Sequence, residues 1–346
     1  GELAHYCLGQ VPTGLGFLDD LATILDLKAR YGYDNSDLWQ GLVGELVLRR
    51  FGLFNPDETN GIDKRYYTWT DAYLKAKGGI LDRNKSLTVD DFYSVKRKRP
   101  FLIMNSSMFQ NDSTSADLIP YESTFFAGIR NTLNDVGLNG EDIGGGLLEC
   151  FAKGSGFSKN GEYNNVQVTK PERPFTLADI AGISSAAPAY TLEEKHPELN
   201  GLVPRYPYWP VSNRESNPVQ TYRYADGGSL ENLGVNSQLA RGIRKLIVFV
   251  NTDTAVEKDD KGIINISSDI PPLFGYQPYS YKNGYVPYSK SNPGSSSTRV
   301  FRHNKVFDGS PFGDLCTALY EAKHKGGALL VKQTLQVQPQ AWFGVE

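Results

Sequence analysis

The chain has 346 residues, 40% of them hydrophobic and 22% charged, enough to bury a substantial core in one large domain or two smaller ones. A formal net charge of −3 argues against a nucleic-acid-binding surface as the main function. Three cysteines, Cys7, Cys150 and Cys316, are too few and too scattered for a disulfide framework or a zinc site, though one disulfide with a third free thiol remains open.

No run of 18 apolar residues occurs, so no stretch reads as a membrane-spanning helix, and the expectation is a soluble or peripheral membrane protein. The chain opens at Gly1-Glu2-Leu3-Ala4 without an initiator Met or a signal peptide and reads as a processed product or a trimmed chain. Sequons at Asn84, Asn105, Asn111 and Asn265 suit secretion, but chance in so Asn-, Ser- and Thr-rich a chain accounts for them equally.

In chain order, helices are expected over 15–30, where Leu15, Leu18, Leu21, Ile24 and Leu25 recur at helical spacing, and over 37–52, with Leu38, Leu42, Leu46 and Leu48. Residues 53–75 are loop-rich, with a short helix expected around 71–77. A basic stretch, 95–100, precedes the apolar 101–105. It reads as a solvated turn before a central strand ending at Asn105-Ser106-Ser107, with an anionic-headgroup patch or a processing site as the alternatives. A further strand is expected within 117–130, and glycines at 144–146 and 154–156 bracket a short apolar segment. Residues 174–190 read as a small-residue helix, 236–244 as a second, and 243–253 as a buried apolar strand. The stretch 271–288 carries Tyr276, Tyr279, Tyr281, Tyr285 and Tyr288 and reads as a lid, an interfacial loop or a loop folded on the surface. Residues 289–298 are low-complexity, 315–323 a late helix and 328–337 a final strand.

The stretch 222–235 organises the rest. Asp226 stands before Gly227 and Gly228, between an apolar–polar run and a helical run. A carboxylate there sits at a strand end on a turn that can approach a ligand closely, which suits a general base. An ordinary Asp-Gly turn between two elements is the plainer reading. The surroundings add a specific pattern. Upstream lies a helix containing Ser184-Ser185-Ala186-Ala187-Pro188, and downstream a helix followed by the apolar run 243–253. This order resembles the C-terminal half of the catalytic domain of patatin-like phospholipases, relatives of the cytosolic phospholipases A. The likeness is specific over about 175–255 and looser over about 35–160, where 37–45 is similar to a helix of the cytosolic phospholipase A cap region.

The resemblance implies a layered α/β/α fold with a central, largely parallel sheet. Its core sheet region would span 90–255, and a Tyr/Pro-rich loop or lid 256–300, within one domain over 1–346 that lacks its N-terminal third. It implies Asp226 as the base of a Ser-Asp dyad that cleaves lipid acyl esters, with Gly227 and Gly228 as the supporting turn, no metal and no cofactor. The partners implied are a lipid substrate or membrane surface and an N-terminal segment or chain of the same precursor carrying the serine.

That segment is needed because the nucleophile elbow, Gly-x-Ser-x-Gly, occurs nowhere in the chain. Gly182-Ile183-Ser184-Ser185-Ala186 is a degenerate version that makes Ser184 and Ser185 candidate nucleophiles, and Ser155 between two glycines is a weaker one. None of His5, His196, His303 and His324 stands beside a Ser, Cys or Asp in a triad motif, and no pair has metal-ligand spacing. A non-catalytic structural, storage or interaction protein on the same fold is the reading from another class.

Overall fold

The computed structural model describes residues 16–59, 61–68, 74–75, 77, 80–83, 85–94, 103–109, 118–124, 147–149, 157–159, 166–168, 174–187, 189, 201, 203–208, 220–326 and 328–346. Helices and small mixed sheets make the protein a mixed α/β one. The chain divides into two compact units, Gly1–Ser113 with Tyr121–Gly227 and Thr114–Pro120 with Gly228–Glu346.

In the first unit, helix α1 (Gly16–Tyr31) carries Lys28 and Arg30 in its last turn, where cations complement the helix dipole. Its Leu27 packs with Leu38 and Leu42 of α2 (Leu38–Val43). The single helix expected over 37–52 is broken into shorter turns: a 3-10 turn at Asn35–Asp37, α2, a π turn at Gly44–Leu48 and a 3-10 turn at Arg49–Phe51. The cause lies at Gly44, where a Cβ would stand 2.5 Å from the Phe54 ring. The ring takes the space of a side chain, and the helix widens locally to admit it.

Strand β1 (Tyr66–Thr68), helix α3 (Ile80–Arg83) and strand β2 (Phe92–Ser94) follow, with β1 and β2 paired in parallel. The helix expected at 71–77 lies mostly outside the described residues, as does the basic stretch 95–100. The next strands are β3 (Met104–Phe109), β4 (Leu118–Thr124), β5 (Leu147–Glu149), and the antiparallel pair β6 (Phe157–Lys159) and β7 (Val166–Val168). Helix α4 (Leu177–Ser184), β8 (Arg205–Tyr208) and β9 (Gln220–Asp226) complete the unit.

The main sheet has the order β5-β4-β3-β9-β8. The expected largely parallel sheet is corrected to a mixed one: β3–β9 and β8–β9 run antiparallel, and β4–β5 parallel. Asn105-Ser106-Ser107 also moves from the end of β3 to its first half.

The second unit holds α5 (Val235–Leu239), the short pair β10 (Glu257–Lys258) and β11 (Ile264–Asn265), and α6 (Phe312–Lys325). Its core joins Val235, Leu239, Ile266, Phe274, Phe307 and Phe312 with Val345 near the C-terminus. The tyrosine-rich stretch is folded onto that core. Tyr276 stacks on Phe312 at 5.0 Å and Tyr285 meets its edge at 4.9 Å. The Tyr285 hydroxyl donates to Ile264 O (3.0 Å) and accepts from Ile266 N (3.1 Å), so burying it leaves no polar atom stranded.

Two expected strands of this unit do not form. Residues 243–253 run extended but join no ladder, with Ile247 83% and Phe249 87% exposed. Residues 328–337 are extended as well, and only Val337 bridges to Phe307. An apolar run becomes a strand only where a neighbour meets its main-chain groups, and among the described residues none meets these.

Candidate active site

Strand β9 owes its form to alternating aromatic residues suited to a pleated, buried surface. Tyr222 and Tyr224 are buried, and Tyr206 on β8 sits between Phe175 (5.1 Å, edge-on) and Tyr224 (6.2 Å). Its last residue is Asp226, paired in register with Ser106 of β3. The chain then turns through a 3-10 turn, Gly227–Ser229.

Helix α4 is started by a capping box. Thr176 Oγ1 accepts from Asp179 N, and Asp179 Oδ2 accepts from Thr176 N (2.7 Å) and Thr176 Oγ1 (2.8 Å). Asp179 is fully buried, and its other oxygen accepts from the Tyr206 hydroxyl at 2.5 Å. That hydroxyl in turn accepts from Gln40 Nε2 at 2.8 Å. One buried polar chain thus ties α2, α4 and β8 together. Gly182 lets α2 come that close, since a Cβ there would lie 2.7 Å from Gln40 Cα.

Three elements converge where α4 ends. Ser184 Oγ donates to the Asn105 carbonyl of β3 at 2.7 Å. Asp226 N donates to the Ala186 carbonyl at 3.3 Å. Gly227 lies flat on the same Asn105 carbonyl, where a Cβ would come within 2.6 Å of its oxygen. The carboxylate of Asp226 therefore leaves a strand end whose backbone is fixed from both sides, the geometry a positioned base requires.

The structure gathers Asp226, Gly227 and Ser184 around Asn105 and leaves Ser185 facing its own helix. Ser185 Oγ donates to Ala181 O (2.7 Å) and lies 3.3 Å from Gly182 O, the local back-bonding common for serine at a helix end. Gly228 is half-buried in the turn, and Ser155 lies outside the described residues.

Glu231, four residues past Gly227, is a buried carboxylate that sequence reasoning missed. Its oxygens accept from Leu233 N (2.7 Å) and Asn236 N (3.1 Å), and so cap the start of α5. Burial pushes its carboxyl above the usual range, opposed by hydrogen bonds from the main chain at 233–236. Its sequence signal was its place one turn ahead of the helical run. Beside it, Asn304 Nδ2 donates to Leu230 O at 2.6 Å and Asn236 Nδ2 to Asn304 O at 3.3 Å.

The remaining candidates fall in structural roles or outside the described residues. His303 stacks on Trp342 at 4.2 Å, and His324 packs edge-on against Tyr320. Cys316 is an unpaired, buried thiol that burial raises to about 11, while Cys7, Cys150, His5 and His196 lie outside. Among the described residues no cluster of three or more His, Cys, Asp or Glu side chains is placed to hold a metal ion, and no helix is long and apolar enough to cross a membrane.

Scanned against protein-family models, curated proteins and solved structures, the chain matches none of them.

Proposed function

We propose that this chain is the base-bearing part of a lipid acyl hydrolase with a patatin-like, layered α/β/α fold. Asp226 acts on a serine that a companion polypeptide supplies. In the reaction Asp226 takes the proton of the serine hydroxyl as its oxygen attacks the ester carbonyl. The tetrahedral oxyanion collapses, and the departing alcohol receives that proton. Water, deprotonated by the same carboxylate, then releases the fatty acid and restores the serine. No metal or cofactor enters the cycle.

The observation that carries this reading is the clamped turn: Asp226 at the end of β9, with Gly227 pressed on the Asn105 carbonyl and the Asp226 amide on Ala186. A solvent-facing Asp-Gly turn needs no such support.

A second reading has its own observation. The hydroxyls of Ser184 and Ser185 both donate to main-chain carbonyls, so neither is poised as a nucleophile. This favours a non-catalytic structural, storage or interaction protein on the same fold.

The experiment that separates them expresses the chain together with the polypeptide encoded upstream of Gly1 and measures ester hydrolysis on lipid vesicles. Asp226→Asn lowers turnover by roughly 10²–10⁴ while the urea midpoint stays unchanged. Undiminished lipolysis in this variant removes Asp226 from the mechanism. Absence of lipolysis in the unmutated assembly supports the non-catalytic reading.

A further inference from the structure

We propose that residues 244–251 are the seat on which a partner polypeptide adds β-strands to this protein. The inference rests on the proposed function only for who the partner is, the companion that carries the serine.

The run is extended, and among the described residues its main chain makes no hydrogen bond, so both edges are open. Its side chains alternate between two faces. On one face Leu246 packs against the core of the second unit, with Val248 and Val250 beyond it at 40% and 37% exposure. On the other, Ile247 and Phe249 are almost wholly bare. A run apolar on both faces is the pattern of an internal strand, covered above and below and paired on each side. Leu246 holds one end of it against folded structure, so the open edges are presented rather than collapsed.

The occupant has to be polypeptide. Lipid covers Ile247 and Phe249 but leaves every main-chain N–H and C=O of the run without a partner, at several kcal/mol each. A second copy of the chain closes one edge of each run and leaves the other open, and it brings nothing to cover Ile247 and Phe249. Strands of a companion meet both needs. Charge adds a direction: Arg244 and Lys245 open the run, both are exposed, and among the described residues neither forms an ion pair. The companion strand therefore presents carboxylates at that end.

The test uses the full chain and a synthetic strand peptide of Val, Ile and Thr, about ten residues long, with two glutamates at the end that faces Arg244 and Lys245. Amide exchange over 244–251 is read by mass spectrometry with and without the peptide. The expected result is exchange slowed about tenfold or more across this run. Affinity weakens about two- to fivefold when lysines replace the glutamates. Protection disappears with a peptide N-methylated along its backbone, and with Phe249→Asp. That side chain lies outside the core, so circular dichroism of the variant stays unchanged.

Three results overturn the proposal: no protection by the peptide, protection by phosphatidylcholine vesicles alone, or protection that appears without peptide as the chain dimerises with rising concentration. Lipolysis plays no part in the readout. A failed Asp226→Asn assay leaves this proposal standing, and its failure leaves the dyad standing.

Discussion

Replacing Gly227 by alanine tests whether the turn after β9 is a clamp or a passive connection. The added Cβ would stand 2.6 Å from Asn105 O, 2.7 Å from its carbonyl carbon and 2.9 Å from its Cβ. Carbon atoms settle at about 3.5–4.0 Å, so strand and turn must part by roughly 0.8 Å. Two of the three atoms are main chain of β3, held in the sheet by the pairs Ser106↔Asp226 and Ser107↔Ala225, and no flexible side chain can give way. Overpacking of this kind costs about 1–3 kcal/mol. With a urea dependence near 2 kcal/mol per molar, the midpoint falls by about 0.5–1.5 M. The assay is urea unfolding followed by tryptophan fluorescence, with Gly313→Ala as control. Gly313 lies in the first turn of α6 with nothing within 4 Å of its would-be Cβ, so alanine there stabilises by up to about 1 kcal/mol. A Gly227→Ala midpoint equal to that of the unmutated chain, or a shift of the same sign in both variants, refutes the clamp.

Tyr206→Phe removes the hydroxyl between Gln40 and Asp179 and lowers stability by about 1–3 kcal/mol in the same titration. A change below about 0.5 kcal/mol means water replaces it without loss. The Cys316 thiol, raised to about 11 by burial, resists iodoacetamide at pH 8 in the folded chain and is alkylated in urea. Equal rates in both states contradict its burial. Glu231 has a folded pKa above its ordinary value of 4.5. Its contribution to stability is therefore full below that pH and is lost as pH rises through the folded pKa. Glu231→Gln removes this slope, and identical pH–stability curves for the two proteins would show that Glu231 does not titrate on unfolding.

The features legible in the sequence are those that local chemistry dictates. Period 3.6 gave α1, and the Thr176-x-x-Asp179 spacing is a capping box that the structure uses in full. The Asp226-Gly227-Gly228 turn falls at the end of a strand, as the change from alternating to helical pattern implied. What was not legible depends on neighbours distant in sequence. Nothing in 37–52 announces that the Phe54 ring will press on Gly44 and widen the helix. The mixed sense of the sheet follows from which strands meet, and a strand's own residues do not encode that. Residues 243–253 have every mark of a strand except something to pair with.

Glu231 and Asp226 lie five positions apart, and each is a carboxylate beside a turn, yet their surroundings give them different work. Both Glu231 oxygens are taken by main-chain N–H groups at the start of α5, in a site buried enough to raise the carboxyl's pKa. A base must reach a proton on an incoming group, and to do so Glu231 would have to abandon the start of α5. Asp226 asks no such sacrifice. Its position is set through the backbone, by the Ser106 register and the contact of its amide with Ala186. Structure that holds a residue by its main chain leaves its side chain to chemistry; structure that holds a carboxylate by its oxygens has spent it. Glu231→Gln should therefore act on stability and its pH dependence, and Asp226→Asn on turnover. An assembly in which Glu231→Gln abolishes lipolysis at unchanged stability would reverse that assignment.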